Sequence, residues 1–193
     1  MTVYNTAADA ANTAVRAFLT KVGEYYLNQM SPEYQSFDTD NGKGKGCWER
    51  IKHQTFEERC AYCGDEAEKL QIEHLVTFNR TECGLHHPGN IVPCCKECNK
   101  RARDPESQSV PKKYVSWGKH LEKVCKDRNQ VTAVMQERKE KINQHIDAEK
   151  YPLLSKEEAG AIKVIAESLY SNIQTESEKS LALYKKLREE FVR

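Results

Sequence analysis

Apolar side chains recur at spacings of three and four in two long stretches, one toward each end of the chain. Over residues 7–29, Val15, Phe18, Leu19, Val22 and Tyr26 form a single stripe, which predicts an amphipathic helix. Ser31-Pro32 ends it, because the residue before a proline is pushed out of the helical region. Residues 31–46 are polar and glycine-rich, close on Gly42-Lys-Gly-Lys-Gly46 and read as a loop. Beyond Pro111 the helical period returns: Trp117, Leu121, Val124 and Cys125 make one stripe, and Val131, Val134, Met135, Ile142 and Ile146 continue it until Pro152. Ser155-Lys-Glu-Glu158 and Thr175-Glu-Ser-Glu178 are capping-box spellings that predict two further helices. The first carries Ile162, Ile165 and Leu169, the second Leu181, Tyr184, Leu187 and Phe191, all assigned to a core together with Tyr114 and Trp117.

The middle of the chain has a different grammar. Leu70-Gln-Ile72 runs through Glu73-His74 to Leu75-Val76 as a short strand with polar chemistry at its centre, and Asn90-Ile-Val-Pro-Cys94 is a second strand. Between them lies a loop of about a dozen residues, a length that often carries function. From Cys95 onward a helix is expected. Such a segment has no large core of its own, so it needs another source of folding energy. The resulting organisation is an N-terminal helix and Gly/Lys loop (1–46), a central module (47–110) and a helical C-terminal region (111–193), an α+β chain that is mainly helical.

Eight cysteines supply what the core lacks, and seven of them fall between residues 47 and 98. Cys60-Ala-Tyr-Cys63 and Cys95-Lys-Glu-Cys98 are two C-x-x-C pairs with 31 residues between them. Each such turn brings two thiolates to one ion, and two turns complete a tetrahedral shell, so a structural zinc is expected on Cys60, Cys63, Cys95 and Cys98. Reduced core cysteines would not explain two identical spacings. Cys83 and Cys125 are expected to be free thiols, and the role of Cys47 stays open.

Composition narrows the remaining choices. The 193 residues are 38% hydrophobic and 31% charged, too rich in apolar side chains for a disordered chain. No apolar stretch approaches the roughly 20 residues of a spanning helix, and the first residues lack the pattern of a secretory leader, which leads to an expectation of a cytoplasmic protein. Net charge is only +1, yet residues 96–128 hold ten basic against five acidic side chains. Local basicity directly after the cysteine pairs suits a phosphate backbone.

Cys60-x-x-Cys63, Ile72-Glu73-His74-Leu75-Val76, Asn90-Ile-Val and Cys95-x-x-Cys98-Asn99-x-Arg101 together resemble the HNH endonucleases of the His-Me finger (ββα-metal) group, over residues 58–104. The resemblance implies a divalent-metal-dependent DNA endonuclease, bacterial or phage, of restriction or defence type, leaving 5′-phosphate and 3′-hydroxyl ends. His74 would be the general base, a role that suits an imidazole neutral near pH 7. Glu73 and Asn99 would hold magnesium or manganese through hard oxygens, and Asn90 would position the His74 ring or brace the loop. Lys100, Arg101, Arg103, Lys112 and Lys113 would grip nucleic acid. The family's acid is usually Asp, whereas Glu73 is longer by a methylene; its last letter is usually His, and Asn99 makes this a His-Asn-Asn variant.

Because neighbouring strand residues point to opposite faces, Glu73 and His74 share one role only if the strand twists or bulges. His86 and His87 stay open between substrate contact and loop structure. Two alternatives accompany the nuclease reading: a zinc module that binds nucleic acid without cutting it, and an RNA-directed enzyme. A homodimer or a defence-system partner such as an ATPase would use the C-terminal helices. No membrane partner is expected.

Overall fold

The computed structural model describes residues 6–30 and 37–191. Helix α1 spans Ala7–Met30 and α2 spans Gly42–Arg50, continuing through a π-helical turn at Ile51–Thr55. Strands β1 (Gln71–His74) and β2 (Ile91–Cys94) form the one sheet among the described residues, followed by α3 (Trp117–Asp127), α4 (Thr132–Ala148) and α5 (Lys156–Phe191). The architecture is α+β, with a small antiparallel sheet beside a four-cysteine cluster and helices around both.

Helix α1 starts where Thr6 accepts a hydrogen bond from the Asp9 amide at 3.2 Å and donates to the Asp9 carboxylate at 2.7 Å. Its buried positions Ala11, Val15 and Leu19 recur every fourth residue, and Val15 and Leu19 share a core with Ile162 and Ala166 of α5. Leu85 and Cys83 of the loop between the strands complete this second core, with Phe78 packed at its edge. The first core is built on the cysteines. Tyr62, Ile91, Val92, Leu75, Ile51 and Trp48 surround them, and Leu121, Cys125 of α3 and Ile142 of α4 close the far side. Residues beyond Pro111 contribute to both cores.

The strand pair has the register Gln71↔Cys94, Ile72↔Pro93, Glu73↔Val92 and His74↔Ile91. The Leu75 amide adds a further rung to the Asn90 carbonyl at 2.8 Å. Pro93 cannot donate, but its carbonyl accepts from the Ala61 amide at 2.8 Å, which ties the first cysteine turn to the sheet edge. His145 of α4 spans the other side, its Nε2 within 3.1 Å of the Pro88 carbonyl and 2.9 Å of the Ile91 carbonyl.

Four expectations need correction. Residues 42–46 are helical, not loop: Gly44 lets α2 approach the Asp38 backbone so closely that a Cβ would lie 2.2 Å from its carbonyl oxygen, so tertiary packing overrides the low helix propensity of glycine. The rest of the expected loop, including Ser31-Pro32, lies mainly outside the described residues. No helix begins at Cys95, so the ββα order is absent locally and Asn99 is not on a helix. The Cys98 and Asn99 amides both turn back onto the Cys95 carbonyl, at 3.1 and 3.0 Å, and residues 102–104 then run extended beside 113–115. The two helices expected after Pro152 are one. Ser155 and Glu158 form their reciprocal cap, at 2.7 and 3.1 Å, whereas Thr175 lies inside continuous helix with no breaker before it. The stripe assigned to a core on its second half is exposed, Leu181 at 54% and Phe191 at 75%.

Candidate metal centre and adjoining cleft

Cys60, Cys63, Cys95 and Cys98 are all buried, and their sulfurs lie within 4.8 Å of one another. The Cys63 and Cys95 sulfurs are 3.8 Å apart. A tetrahedral zinc with bonds of about 2.3 Å has sulfur–sulfur edges of about 3.8 Å, so the donor set and its spacing fit the ion. The four thiols are close enough to couple: hydrogen bonds from its neighbours hold the Cys60 thiol far below the usual range, and the bond to Cys60 pushes Cys63 up. A zinc ion would take all four as thiolates. Cys94 is buried and donates to the Cys95 carbonyl at 3.4 Å, outside the cluster of four. The His120 Nε2 lies 2.8 Å from the Cys98 carbonyl and the ring meets Tyr62 edge-on, so α3 supports the second turn from behind.

Strand β1 carries chemistry on two faces. Gln71 and Glu73 point to one side, where Asn99 donates to the Gln71 side-chain oxygen at 3.0 Å. Glu73, Thr77, Asn99, Lys100, Arg101 and Tyr114 line a cleft of about 250 Å³. Glu73 and Asn99, distant in sequence, thus line one cleft, and Asn99 directly follows Cys98 of the four-cysteine cluster. Burial pushes the Glu73 carboxyl up, and the adjacent Arg101 opposes that shift.

Arg101 does not face solvent as a nucleic-acid contact should; its side chain is only 6% exposed. It pairs with Glu73 and donates to the carbonyls of Leu75 and His74, both at 2.9 Å, and to the Tyr62 hydroxyl at 3.2 Å. A buried guanidinium needs these acceptors to offset its desolvation. Arg101 therefore ties the strand to the cysteine turns. Lys100 is exposed and pairs with Glu97, Arg103 donates to the Lys112 carbonyl at 2.7 Å, and Lys113 is exposed.

His74 lies on the opposite face from the cleft and does not line it. Its Nε2 is 3.0 Å from His86 Nδ1, and its ring stacks on Phe78 at 4.7 Å. Burial pushes the imidazole down to about 3, with smaller contributions from His86, Arg16 and Arg101. The strand alternates without a bulge, and the two neighbours are separated as the pleat dictates. Asn90 is buried and closes the loop: it accepts from the Val76 amide at 2.7 Å and donates to the Val76 and Leu85 carbonyls at 2.9 and 2.8 Å. Gly84 permits this closure, since a Cβ there would sit 1.9 Å from the Val76 carbonyl oxygen. His87 accepts from the Gly89 amide at 3.1 Å and is wholly buried.

Sequence reasoning did not single out Thr77, Arg16 or Arg80, and it placed Tyr114 in the core, whereas its ring lines the cleft. A tyrosine between basic residues was the available sign for the last. Comparison with known proteins finds no matching family model, no similar curated protein and no similar solved structure. Among the described residues no helix is long and apolar enough to cross a membrane.

Proposed function

We propose that the chain is a divalent-metal-dependent endonuclease acting on DNA, with His74 as general base and Glu73 and Asn99 as the protein ligands of a catalytic magnesium or manganese ion. The observation that carries the reading is that Glu73 and Asn99 line one cleft, with Asn99 directly after Cys98 of the four-cysteine cluster. Two hard oxygen donors in an open cleft suit an ion that keeps several waters, and such an ion supplies Lewis-acid stabilisation of charge on a phosphoryl oxygen. Glu73 has to exchange part of its pairing with Arg101 for that role, while Arg101 keeps the carbonyls of His74 and Leu75 and the Tyr62 hydroxyl as acceptors. His74 is neutral at pH 7, as a base must be, but in its closed position is too weak to be efficient. In this proposal, moving the ring off Phe78 and His86 toward an anionic substrate raises its basicity. Asn90 keeps the loop that follows His74 in place.

Two observations favour a second reading, a zinc module that binds nucleic acid without cutting it: the carboxylate of Glu73 is already paired, and His74 is turned away. The readings part in a plasmid-cleavage assay with magnesium or manganese. The nuclease reading expects wild type to nick or linearise supercoiled DNA and His74→Ala to lose activity by 100-fold or more, on the order of a general base's contribution. Equal cleavage by the two proteins would sink the mechanism; DNA binding by wild type with no cleavage would favour the second reading.

A further inference from the structure

A second cavity, of about 340 Å³, opens between α1, the 79–81 segment and the 103–114 segment, and three arginines line it: Arg16, Arg80 and Arg103. Among the described residues no carboxylate lines this cavity. Two of the guanidiniums lie over aromatic rings, Arg80 at 3.9 Å from the Tyr170 centroid and Arg103 at 3.8 Å from the Tyr114 centroid. Stacking fixes the guanidinium planes and leaves their edges to donate. Each arginine has five N–H donors. Arg80 gives one to Glu167 at 3.1 Å, and Arg103 gives one to the Lys112 carbonyl at 2.7 Å. Arg16 is exposed on α1, and among the described residues no hydrogen bond or ion pair engages it. Most of the donors therefore remain for a ligand, and that ligand must be an anion. Tyr114 also lines the cleft of Glu73 and Asn99, so the two cavities adjoin at this residue.

We infer that this cavity is a phosphate-backbone site, in which Arg16, Arg80 and Arg103 hold a nucleic-acid strand on its way past Tyr114 to the Glu73–Asn99 cleft. The identity of the anion rests on the nuclease reading; the anion site itself rests on the arginines. The inference extends the nucleic-acid surface from Arg103 of the basic segment onto Arg16 of α1 and Arg80 of the 79–81 loop. It also gives the α1–α5 packing a purpose, since Arg16 and the Arg80–Tyr170 stack are set by those two helices.

The test is binding of a fluorescently labelled 20-base-pair DNA duplex to the full chain without divalent ion, followed across salt concentration. Wild type, Arg16→Gln and Arg103→Gln are compared, with Lys186→Gln on the exposed end of α5 as the control. Each cavity variant is expected to lower the slope of log affinity against log salt by about 0.9 and to weaken binding about tenfold at fixed salt. Lys186→Gln should do neither. Slopes equal to wild type in both arginine variants, or no binding by wild type at low salt, would overturn the site. Displacement of the duplex by millimolar inorganic phosphate at constant ionic strength would overturn the strand assignment and leave a small-anion pocket. Binding that depends on Arg16 and Arg103 without any cleavage would leave the site standing while the nuclease reading fails, and cleavage with unchanged slopes would do the reverse.

Discussion

The two cores of this chain are held together by different means. The α1–α5 core is ordinary helix packing: Val15 and Leu19 meet Ile162 and Ala166 along matching stripes. The core beneath the sheet combines two four-residue strands, two cysteine turns and helices that brace them, and eight of its residues are cysteines or small side chains with little area to bury. Packing of the two helices, completed by Cys83 and Leu85 of the loop, stabilises the first. The second offers a cation four converging sulfurs, and binding one as thiolates would add the folding energy that its short strands lack. Both tryptophans, Trp48 and Trp117, belong to the cysteine core, which allows it to be observed separately.

Removing the metal should therefore produce the largest effect. Cys60→Ser, or treatment with a strong zinc chelator, is expected to shift tryptophan emission to the red and to abolish the cooperative unfolding of the module; structural zinc is worth on the order of 10 kcal/mol in small zinc domains. An unshifted spectrum after complete chelation would show that the sheet stands without the ion. Leu19→Ala should cost about 2–4 kcal/mol by cavity formation in the other core, measured by urea denaturation, while the zinc content stays at the wild-type level. Loss of zinc in that variant would mean that the two cores are one.

Acidification gives the smallest effect and touches the seam between them. Burial holds His87, whose ring meets Tyr151, down to about 4 in the folded chain. The unfolded chain takes up the proton first, near pH 6.5, so stability present above that pH is lost as the pH falls toward the folded value. Between pH 7 and pH 5 the loss from this one group is about 2 kcal/mol. Urea midpoints of wild type and His87→Gln should diverge less at pH 5 than at pH 7, and a constant difference would contradict the assignment.

How far these features could be read in advance follows from what each depends on. The cysteine turns depend on spacing within a few residues, and Cys60, Cys63, Cys95 and Cys98 come together as that spacing requires. The strands flanking Glu73 and Asn90 are also local, and the pleat that separates Glu73 from His74 follows from period two alone. Other features are set by distant partners. Gly44 is helical because Asp38 lies against it, and Asn99 leaves the expected helix because residues 102–104 pair with 113–115. Arg101 reads as one more cation in a basic run, and only the fold reveals that Glu73 and three other acceptors turn it inward. Arg16 and Arg80 lie outside that run and join Arg103 through packing of α1 and α5, which no spacing in the sequence announces.

The arrangement of Glu73, Asn99 and Asn90 depends on the sheet, and the sheet depends on the cysteine centre. Its metal content is the most direct test: native mass spectrometry of the purified chain, with and without a chelator. One zinc per chain, lost together with the red shift of tryptophan emission, is the predicted result. A folded chain with its four thiols free and no bound metal would contradict the account.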